Sequence, residues 1–415
     1  MARMMTSEEA ASRLGVKVTT LYVYVSRGLL SSHPDPTPGS RRSLFAVEDV
    51  ERLAERSRGG RRSESRLAVV TTSITRLDER GPIYRGVPAT ELATGATFES
   101  VASRLWRVDD AAAHWSPQPL DVPGHLRARD RLPWSTVMVG AEDPFRADLR
   151  PEAVARAASA LVATMVDSLA TDPGAGPGRG ERRVATGPVL TLADGTGVTD
   201  SIAARLAQAL GLVAPEGDDG ARGPAVVAAL NAAMVLLADH ELATSTLAVR
   251  VAASTRADVY DAVLSGLGTS AGRLHAAASD EVLEVFTAAE VDGVEVAMGD
   301  AMRRWGHVPG FGHSAYPDGD PRATALLALV GELGDESRRQ QIRSALDTAA
   351  ARGIPAPNID FALAALASAT GAPPGAMPAL FAIARVAGWV AHYLEELDES
   401  PLRFRARAIH TTEAT

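Results

Sequence analysis

The chain has 415 residues, of which 46% are hydrophobic and 22% are charged, so it is long enough for two or three domains and a core that supports an enzyme. It contains no cysteine, which excludes disulfides, thiolate metal sites and a cysteine nucleophile. The net charge of −9 is unevenly divided, because residues 1–66 hold 12 Lys and Arg against 8 Asp and Glu while the remainder holds 30 against 43. This asymmetry predicts two modules with different partners.

The chain shows no targeting or membrane segment by sequence pattern. Its first residues lack the apolar core of a signal peptide. The most apolar run, about Val226 to Ala238, is shorter than the ~20 residues that a bilayer requires. We therefore expect a buried helix there, and a soluble, cytoplasmic protein.

The N-terminal residues carry the pattern of two short helices. Thr6 and Glu9 have the spacing of a capping box, which predicts a helix that runs to Leu14 and stops at Gly15. A second helix is expected over 19–27, with Leu21 on its buried side. The turn between the two helices has the length and the glycine of a helix-turn-helix.

A loop rich in Pro, Gly and Arg follows over 31–42, and a helical period follows at Val47, Val50 and Leu53. This order resembles the winged helix-turn-helix of MerR-type and excisionase-type proteins, and the resemblance implies such a domain over 1–58. Modules of this kind place their second helix in the major groove and their wing on the phosphates. The candidate DNA contacts are Lys17, Thr19, Thr20, Tyr24, Arg27, Arg41 and Arg42.

A structural role for this module stays open, since a net charge of +4 is weak for a nucleic-acid binder. It would then be a small appendage that packs on its neighbour or on another subunit. The polar Gly, Ser and Arg stretch over 59–67 is predicted to be a linker. After it, alternating β-branched residues over 69–75 predict a short strand or hairpin, and helical periods dominate the rest.

His240 lies in the stretch Ala238-Asp-His-Glu-Leu-Ala-Thr-Ser-Thr246, where one predicted helix ends and another begins. Its ring can point into a cleft, or it can satisfy a backbone carbonyl. The metal motif His-Glu-x-x-His is absent because position 244 is Thr, and no metal site is predicted. A second histidine, His275, precedes the small residues Ala276 to Ser279.

The stretch Gly310-Phe-Gly-His313 predicts a turn that presents an imidazole, and Asp320-Pro-Arg322 places a guanidinium near a helix N-terminus, where it suits a carboxylate. Asp360, in Pro357-Asn-Ile-Asp360, begins a helix and could be only its cap. Arg385 is the single arginine of a strongly apolar helix. A lone buried arginine is costly unless it is paired, so Arg385 implies an anionic partner.

Together with Tyr84-Arg-Gly, the four motifs around His240, His275, His313 and Asp360 resemble the citrate synthase family. They stand in the family's order, and the resemblance extends from about residue 84 to 407. The resemblance implies an all-α fold, with a large domain over 68–275 and 375–415 and a small mobile domain over 276–374. It also implies a homodimer whose active sites borrow a residue from the partner. The family condenses an acyl-coenzyme A, usually acetyl-CoA, with oxaloacetate and hydrolyses the thioester, and it needs no metal or organic cofactor.

The resemblance also implies a role for each residue. Asp360 would be the base that takes a proton from the acyl methyl group, His275 would donate to the thioester oxygen, and His313 would protonate the oxaloacetate carbonyl. The carboxylates would be held by His240, Arg322, Arg385 and Arg405, the last from the partner subunit.

The chain departs from the family at two points. The family's His-Gly-Gly-Ala-Asn is His275-Ala-Ala-Ala-Ser279 here, which adds Cβ atoms and restricts the backbone. Ala406 replaces the proline that usually follows the terminal arginine. Two alternatives therefore stay open: a 2-methylcitrate synthase that uses propionyl-CoA, and a DNA-binding regulator whose synthase-like body senses the ligand.

Overall fold

The computed structural model describes residues 4–14, 16, 18, 21, 25, 30–35, 43–47, 49–50, 70–170, 190–198, 200–213, 222–272 and 278–404. The chain divides into two compact units. The first unit holds Met1–Thr71 with Phe404–Thr415, and the second unit is Thr72–Arg403. The predicted boundaries of the linker and of a separate small domain over 276–374 stay predictions.

The first unit contains the predicted capping box. Helix α1 (Ser7–Leu14) follows strand β1 (Met4–Thr6). The Thr6 amide donates to Glu9 Oε2 at 2.8 Å, and the Glu9 amide donates to Thr6 Oγ1 at 3.3 Å, which confirms the reciprocal cap.

This unit contains a three-stranded sheet, and its strand β2 (His33–Pro34) lies within the loop that the sequence predicted over 31–42. Strands β2 and β1 both pair antiparallel with β3 (Ser43–Ala46), so β3 is central in the sheet. Strand β1 had no signal in the sequence. Most of the predicted second helix lies outside the described residues, although Leu21 is fully buried as expected. The buried core of the unit is Ala10, Ala11, Leu14, Leu21, Leu30, Phe45 and Val50.

The second unit begins with an antiparallel sheet of β4 (Thr75–Asp78), β5 (Gly81–Tyr84) and β6 (Val87–Pro88). The strand predicted over 69–75 was placed too early, because β4 begins at Thr75. The physical reason lies at Ser73, whose amide donates to the Glu395 carboxylate at 2.8 Å instead of joining a strand ladder.

The remainder of the second unit is mainly helical, which confirms the all-α prediction. A two-stranded sheet, β7 (Leu190–Thr191) with β8 (Gly197–Val198), accompanies the helices. The helices are α2 (Ala89–Gly95), α3 (Phe98–Trp106), α4 (Ala128–Glu142), α5 (Pro151–Ser168), α6 (Ile202–Ala209), α7 (Arg222–Leu237), α8 (Thr244–Ser254), α9 (Val259–Ser270), α10 (Ala278–Asp292), α11 (Val294–Trp305), α12 (Pro321–Val330), α13 (Glu336–Ala351), α14 (Ile359–Thr370) and α15 (Ala376–Leu397).

Helix α15 is the centre of the packing. It contacts α3, α4, α5, α7, α8 and α9, and it is buried over nearly its whole length. In the described part of the chain it is the one helix long and apolar enough to cross a membrane by length and composition, and 89% of its apolar window is buried inside the protein. A core helix of a soluble protein has these properties.

A second group of helices and the loop before α12 carry three of the predicted site residues, His313, Arg322 and Asp360. Helix α14 packs on α12 and on α10, while α13 packs on α11 and α14. His313 lies in the loop before α12, and Asp360 lies in the first turn of α14. Because α14 also contacts α15 and α7, the two groups of helices meet at the helix that carries Asp360.

Candidate active site

His240 lies at a helix junction, as the sequence predicts. Helix α7 ends at Leu237 and α8 begins at Thr244. The next residue, Glu241, has a φ of 56°, which turns the chain sharply between the two helices. His240 itself is half-buried in this corner.

The turn before His313 is fastened to the start of α14. Gly312 N donates to Ala356 O at 2.8 Å, and Asn358 N donates to Gly310 O at 2.9 Å. Gly310 has a φ of 82°, and a Cβ there would lie 2.6 Å from Val282 Cγ2 and 3.2 Å from Phe361 Cα. Only glycine satisfies both constraints, so this residue brings the loop of His313 against the helix of Asp360.

Three rings form a cluster at this point. The Nε2 atom of His240 lies 3.0 Å from the Tyr316 hydroxyl. The ring of His240 meets that of His313 edge-on at 5.4 Å between centroids, and His313 stacks on Tyr316 at 5.0 Å. Tyr316 was missed by the sequence analysis, although its hydroxyl-bearing ring three residues after His313 was a usable signal.

Arg322 is buried and paired within its own turn. Its Nε and Nη2 atoms donate to the two carboxylate oxygens of Asp320 at 3.0 and 2.8 Å. Asp320 also caps α12 and accepts the amide of Ile359 at 3.0 Å. Burial alone lowers the pKa of this guanidinium, but the Asp320 carboxylate outweighs burial and raises it. Arg322 therefore stays charged. Its guanidinium carbon lies 5.4 Å from the centre of the Tyr316 ring.

Arg385 is also buried, at 2% exposure, but its partners differ. Its Nε donates to the Leu237 carbonyl at 2.7 Å, and its guanidinium lies 4.7 Å from the centre of the Phe381 ring. No carboxylate among the described residues forms an ion pair with it. Burial lowers the pKa of Arg385. The guanidinium of Arg385 is therefore a buried cation, and a ligand carboxylate would supply the anionic partner that the described residues do not provide.

Asp360 is not the cap of its helix. That role belongs to Asn358, whose Oδ1 accepts the amides of Asp360 and Phe361 at 3.0 and 3.4 Å. Burial raises the pKa of Asp360 to about 6, although the positive charge of Arg322 opposes this shift. A carboxylate with such a pKa is suited to exchange protons near neutral pH.

The charges of Arg322 and Arg385 act on the same group of residues. Burial is the main cause that lowers the pKa of His240 far below 6.5, and both arginines lower it further. Burial and then Arg322 lower the pKa of His313. Burial raises the pKa of Tyr316 to about 12. At pH 7 the cluster is therefore two neutral imidazoles and a neutral phenol beside two buried cations.

Other predicted residues are outside the described parts of the chain. These are His275, Arg405 and the candidate DNA contacts Lys17, Thr19, Thr20, Tyr24, Arg27, Arg41 and Arg42, and their roles stay predictions. Within the described residues, no group of three or more histidine, aspartate and glutamate side chains could hold a metal ion.

Comparison with known proteins gives two matches to family models. Residues 65–407 match the model of the citrate synthase C-terminal domain. Residues 4–58 match a helix-turn-helix domain. Each match covers a module that the sequence analysis separated from the other.

Two relatives show how far this similarity extends. A 2-methylcitrate synthase of Mycobacterium tuberculosis is 29% identical over 371 residues, which cover 81% of this chain and 86% of that protein. Citrate synthase 2 of Bacillus subtilis is 33% identical over 194 residues, which cover 45% of this chain and 52% of that protein. The chain thus spans about half of the Bacillus relative and most of the mycobacterial one.

Solved structures share the fold. The citrate synthase of Thermotoga maritima aligns with a TM-score of 0.64 and 24% identity, covering 84% of this chain and 95% of that one. A ternary complex of the Thermoplasma acidophilum citrate synthase aligns with a TM-score of 0.61 and 21% identity, with coverage of 84% and 94%. Because the family model spans most of the sequence, the chain belongs to the citrate synthase family, and it carries a helix-turn-helix domain ahead of the synthase-like body.

Proposed function

We propose that the protein condenses an acyl-CoA with oxaloacetate and hydrolyses the thioester to citrate, or a homologue of citrate, and free coenzyme A. The observation that carries this proposal is the buried guanidinium of Arg385, which has no carboxylate partner among the described residues. The positive charges of Arg385 and Arg322 both favour the unprotonated forms of His240 and Asp360. Two buried cations beside neutral imidazoles are suited to a dicarboxylate that carries a carbonyl group.

Asp360 removes a proton from the methyl carbon next to the thioester. Its pKa of about 6 leaves it ionised at pH 7 yet more basic than an ordinary aspartate. His275 donates a hydrogen bond to the thioester oxygen, where negative charge develops. Removal of the proton and stabilisation of that charge together make the acyl carbon a nucleophile.

The new carbon–carbon bond forms when this carbon attacks the oxaloacetate carbonyl. His313 donates a hydrogen bond to the carbonyl oxygen as its charge develops, and the proton that it gives up there is restored by the water that then attacks the thioester. His240, Arg322, Arg385 and the partner's Arg405 hold the two carboxylates, so that the carbonyl faces the acyl carbon. Water then cleaves the thioester, and coenzyme A leaves as the free thiol. No metal or further cofactor enters this scheme.

The acyl group is acetyl or propionyl. The relatives include proteins named for citrate and for 2-methylcitrate synthesis. A pocket discriminates one methylene by only ~1–3 kcal/mol, so both donors are tested together. Purified protein is mixed with oxaloacetate and either acyl-CoA, and the thiol released is followed with a thiol-reactive dye. The chain has no cysteine and therefore gives no background.

Oxaloacetate-dependent thiol release supports the proposal, and the ratio of the two rates gives the acyl preference. Absence of release with both donors, from folded protein that binds oxaloacetate, would instead support a ligand sensor. The helix-turn-helix match over residues 4–58 favours such a second role. In that case the N-terminal module binds DNA, and the synthase-like body reports the ligand.

DNA binding through residues 1–58 is tested by a gel shift at two salt concentrations. Binding that weakens steeply with salt, and that Arg41→Ala with Arg42→Ala reduces, supports contact with phosphates. Absence of binding at low salt would favour a structural module. We further propose a homodimer, since Arg405 is assigned to the partner's site, and sedimentation of the purified protein tests this assembly. The proposed location of the protein is the cytoplasm.

A further inference from the structure

Helix α15 carries a line of residues that begins at Arg385 and continues through positions that the proposed chemistry does not use. Arg385, Gly388, His392 and Glu396 follow one another at three or four positions, which places them on one face of the helix. Three contacts join this face to the segment just before His240: Arg385 Nε donates to Leu237 O at 2.7 Å, Gly388 N to Ala238 O at 2.8 Å, and His392 Nε2 lies 3.3 Å from Asp239 Oδ2.

The contact at Gly388 is a direct approach of two backbones. A Cβ at this position would lie 2.4 Å from Ala238 O and 2.3 Å from Asp239 Oδ1. The segment is also fixed from the other side, because the Tyr84 hydroxyl donates to Asp239 O at 3.0 Å and lies 3.2 Å from Asp239 N. The backbone of Asp239 is therefore held on two sides, one residue before His240.

From Asp239 a chain of hydrogen bonds and ion pairs continues away from the site. Arg250 Nη1 lies 2.8 Å from His392 Nδ1. Because arginine has only donors, Nδ1 of His392 is the acceptor, and its Nε2 carries the proton that faces Asp239. Arg250 also donates from Nε to Glu396 Oε2 at 2.8 Å. Asp239, Arg250, His392 and Glu396 are all 0% exposed.

This chain of contacts ends at Arg403. Arg403 donates to both oxygens of Glu396, at 2.6 and 2.5 Å. Its side chain is 26% exposed, so it is the member nearest to solvent. Leu402 N donates to Ser254 O at 2.9 Å, beside the same helix pair. In the sequence, Arg403 precedes Arg405 by two residues.

Burying several ionised groups is expensive, and the same volume filled by apolar side chains is often as stable. We propose that Asp239, His392, Arg250, Glu396 and Arg403 form a positioning network for the substrate carboxylates. Its inner end fixes the segment Leu237–Asp239, directly before His240, against the helix of Arg385, and its outer end is Arg403. None of the five touches substrate. This inference rests on the proposed function, since it takes His240, Arg385 and Arg405 as the groups that hold oxaloacetate.

The test compares two arginines of the same region. Arg403→Gln removes the bidentate pair with Glu396. Arg256→Gln is the matched control, because Arg256 fastens the same C-terminal segment through the carbonyls of Leu397 and Glu399 but does not touch the network. Arg403→Lys keeps the charge and measures rescue.

We expect Arg403→Gln to raise the KM for oxaloacetate about tenfold, the effect of one lost charge-assisted hydrogen bond on affinity, with a smaller change in the KM for acyl-CoA. Arg403→Lys should recover most of this loss, while Arg256→Gln leaves the KM for oxaloacetate within about twofold, as expected for a site that does not couple to the ligand. Thermal melting of each variant shows that it is folded. If Arg403→Gln does not fold, Arg403→Met is compared with Arg256→Met in the same assays, and the rise in the KM for oxaloacetate is again expected only for the change at position 403.

An equal rise in KM for Arg256→Gln, or an unchanged KM for Arg403→Gln with a lowered Tm, would show that Arg403 is merely structural. These outcomes are separate from failure of the proposed function, which is a wild-type protein without oxaloacetate-dependent turnover. In that event the same variants are compared by calorimetric titration of oxaloacetate. The network is supported by a tenfold loss of affinity confined to Arg403→Gln, and an unchanged affinity in that variant overturns it.

Discussion

The Tyr316 hydroxyl lies 3.0 Å from His240 Nε2, while the same ring stacks on His313 at 5.0 Å. One side chain thus orients both histidines that face the proposed oxaloacetate site. Burial raises the pKa of Tyr316 to about 12, so the phenol keeps its proton throughout the neutral range. It remains a hydrogen-bonding partner for a neutral imidazole.

Tyr316→Phe tests this relationship. The variant keeps the ring stacked on His313 but removes the hydroxyl from His240, so we expect substrate orientation to suffer more than chemistry. A single neutral hydrogen bond contributes ~0.5–1.5 kcal/mol, and the KM for oxaloacetate should therefore rise by roughly three- to tenfold with a smaller fall in kcat. Steady-state kinetics measures both constants.

Tyr260→Phe is the control for Tyr316→Phe. The Tyr260 hydroxyl donates to Asp143 Oδ2 at 2.8 Å, and neither residue belongs to the proposed site. A KM for oxaloacetate that rises equally in both variants would mean that loss of any buried hydroxyl disturbs the fold, and that Tyr316 has no special relation to His240.

The pH dependence of the reaction rate follows from the pKa of Asp360. Because the base acts only when ionised, and burial raises its pKa to about 6, we expect kcat/KM for the acyl-CoA to fall about tenfold per pH unit below that value. Rates between pH 4.5 and 8 give the midpoint. A kcat/KM that stays level down to pH 4.5, as an ordinary aspartate pKa of 3.8 would give, would contradict the assignment of Asp360 as the base.

Ionisation of Asp360, which the reaction requires, should lower the stability of the folded protein. Its folded pKa lies above its unfolded value, so the folded protein binds this proton more tightly, and the ionised carboxylate destabilises the fold above pH 6. This destabilisation disappears as the pH falls towards 3.8. Asp360→Asn should therefore raise the Tm at pH 7.5 and leave it nearly unchanged at pH 4. A lowered Tm at pH 7.5 would show that the ionised carboxylate stabilises the fold.

Replacement of Arg250 and replacement of Arg385 should have different effects on the Tm, although both arginines are buried. Arg385 has no carboxylate partner among the described residues, whereas Arg250 pairs with Glu395 and Glu396 at 2.8 Å. Breaking a buried pair costs about 3–5 kcal/mol, so Arg250→Leu should strongly lower the Tm. Arg385→Leu should keep or raise the Tm of the free protein.

The same two variants separate binding from folding. Oxaloacetate should raise the Tm of the wild type, as any ligand of the folded state does. Arg385→Leu should lose this increase, because it removes the cation that the ligand carboxylate completes. A strongly destabilised Arg385→Leu protein that still gains stability from oxaloacetate would refute the role of Arg385.

The sequence predicted what depends on local patterns. The helix ends beside His240, the glycine turn before His313 and the capping box at Thr6 all follow from residues within a few positions of one another. It also placed Arg385 inward correctly, because a lone charge in an apolar helix has few alternatives. Family resemblance then supplied the roles, which local pattern could not.

The sequence missed what depends on contacts between distant segments. Asp239 and His392 are separated by 153 positions, and Arg250 and Glu396 by 146, so no periodicity reveals that they pair. The pairing of Arg322 with Asp320 was missed for another reason, since the guanidinium was assigned wholly to a ligand. Strand β4 begins late because Ser73 binds Glu395, more than 300 residues away.

The central claim is that Asp360 acts on the acyl donor at a site where separate groups hold oxaloacetate. Asp360→Asn tests it most directly, since the amide keeps the shape of the side chain but cannot take a proton. Thiol release is measured beside calorimetric titration of oxaloacetate, for the variant and the wild type. The account predicts loss of turnover with oxaloacetate affinity nearly unchanged. Undiminished thiol release in the variant would contradict it.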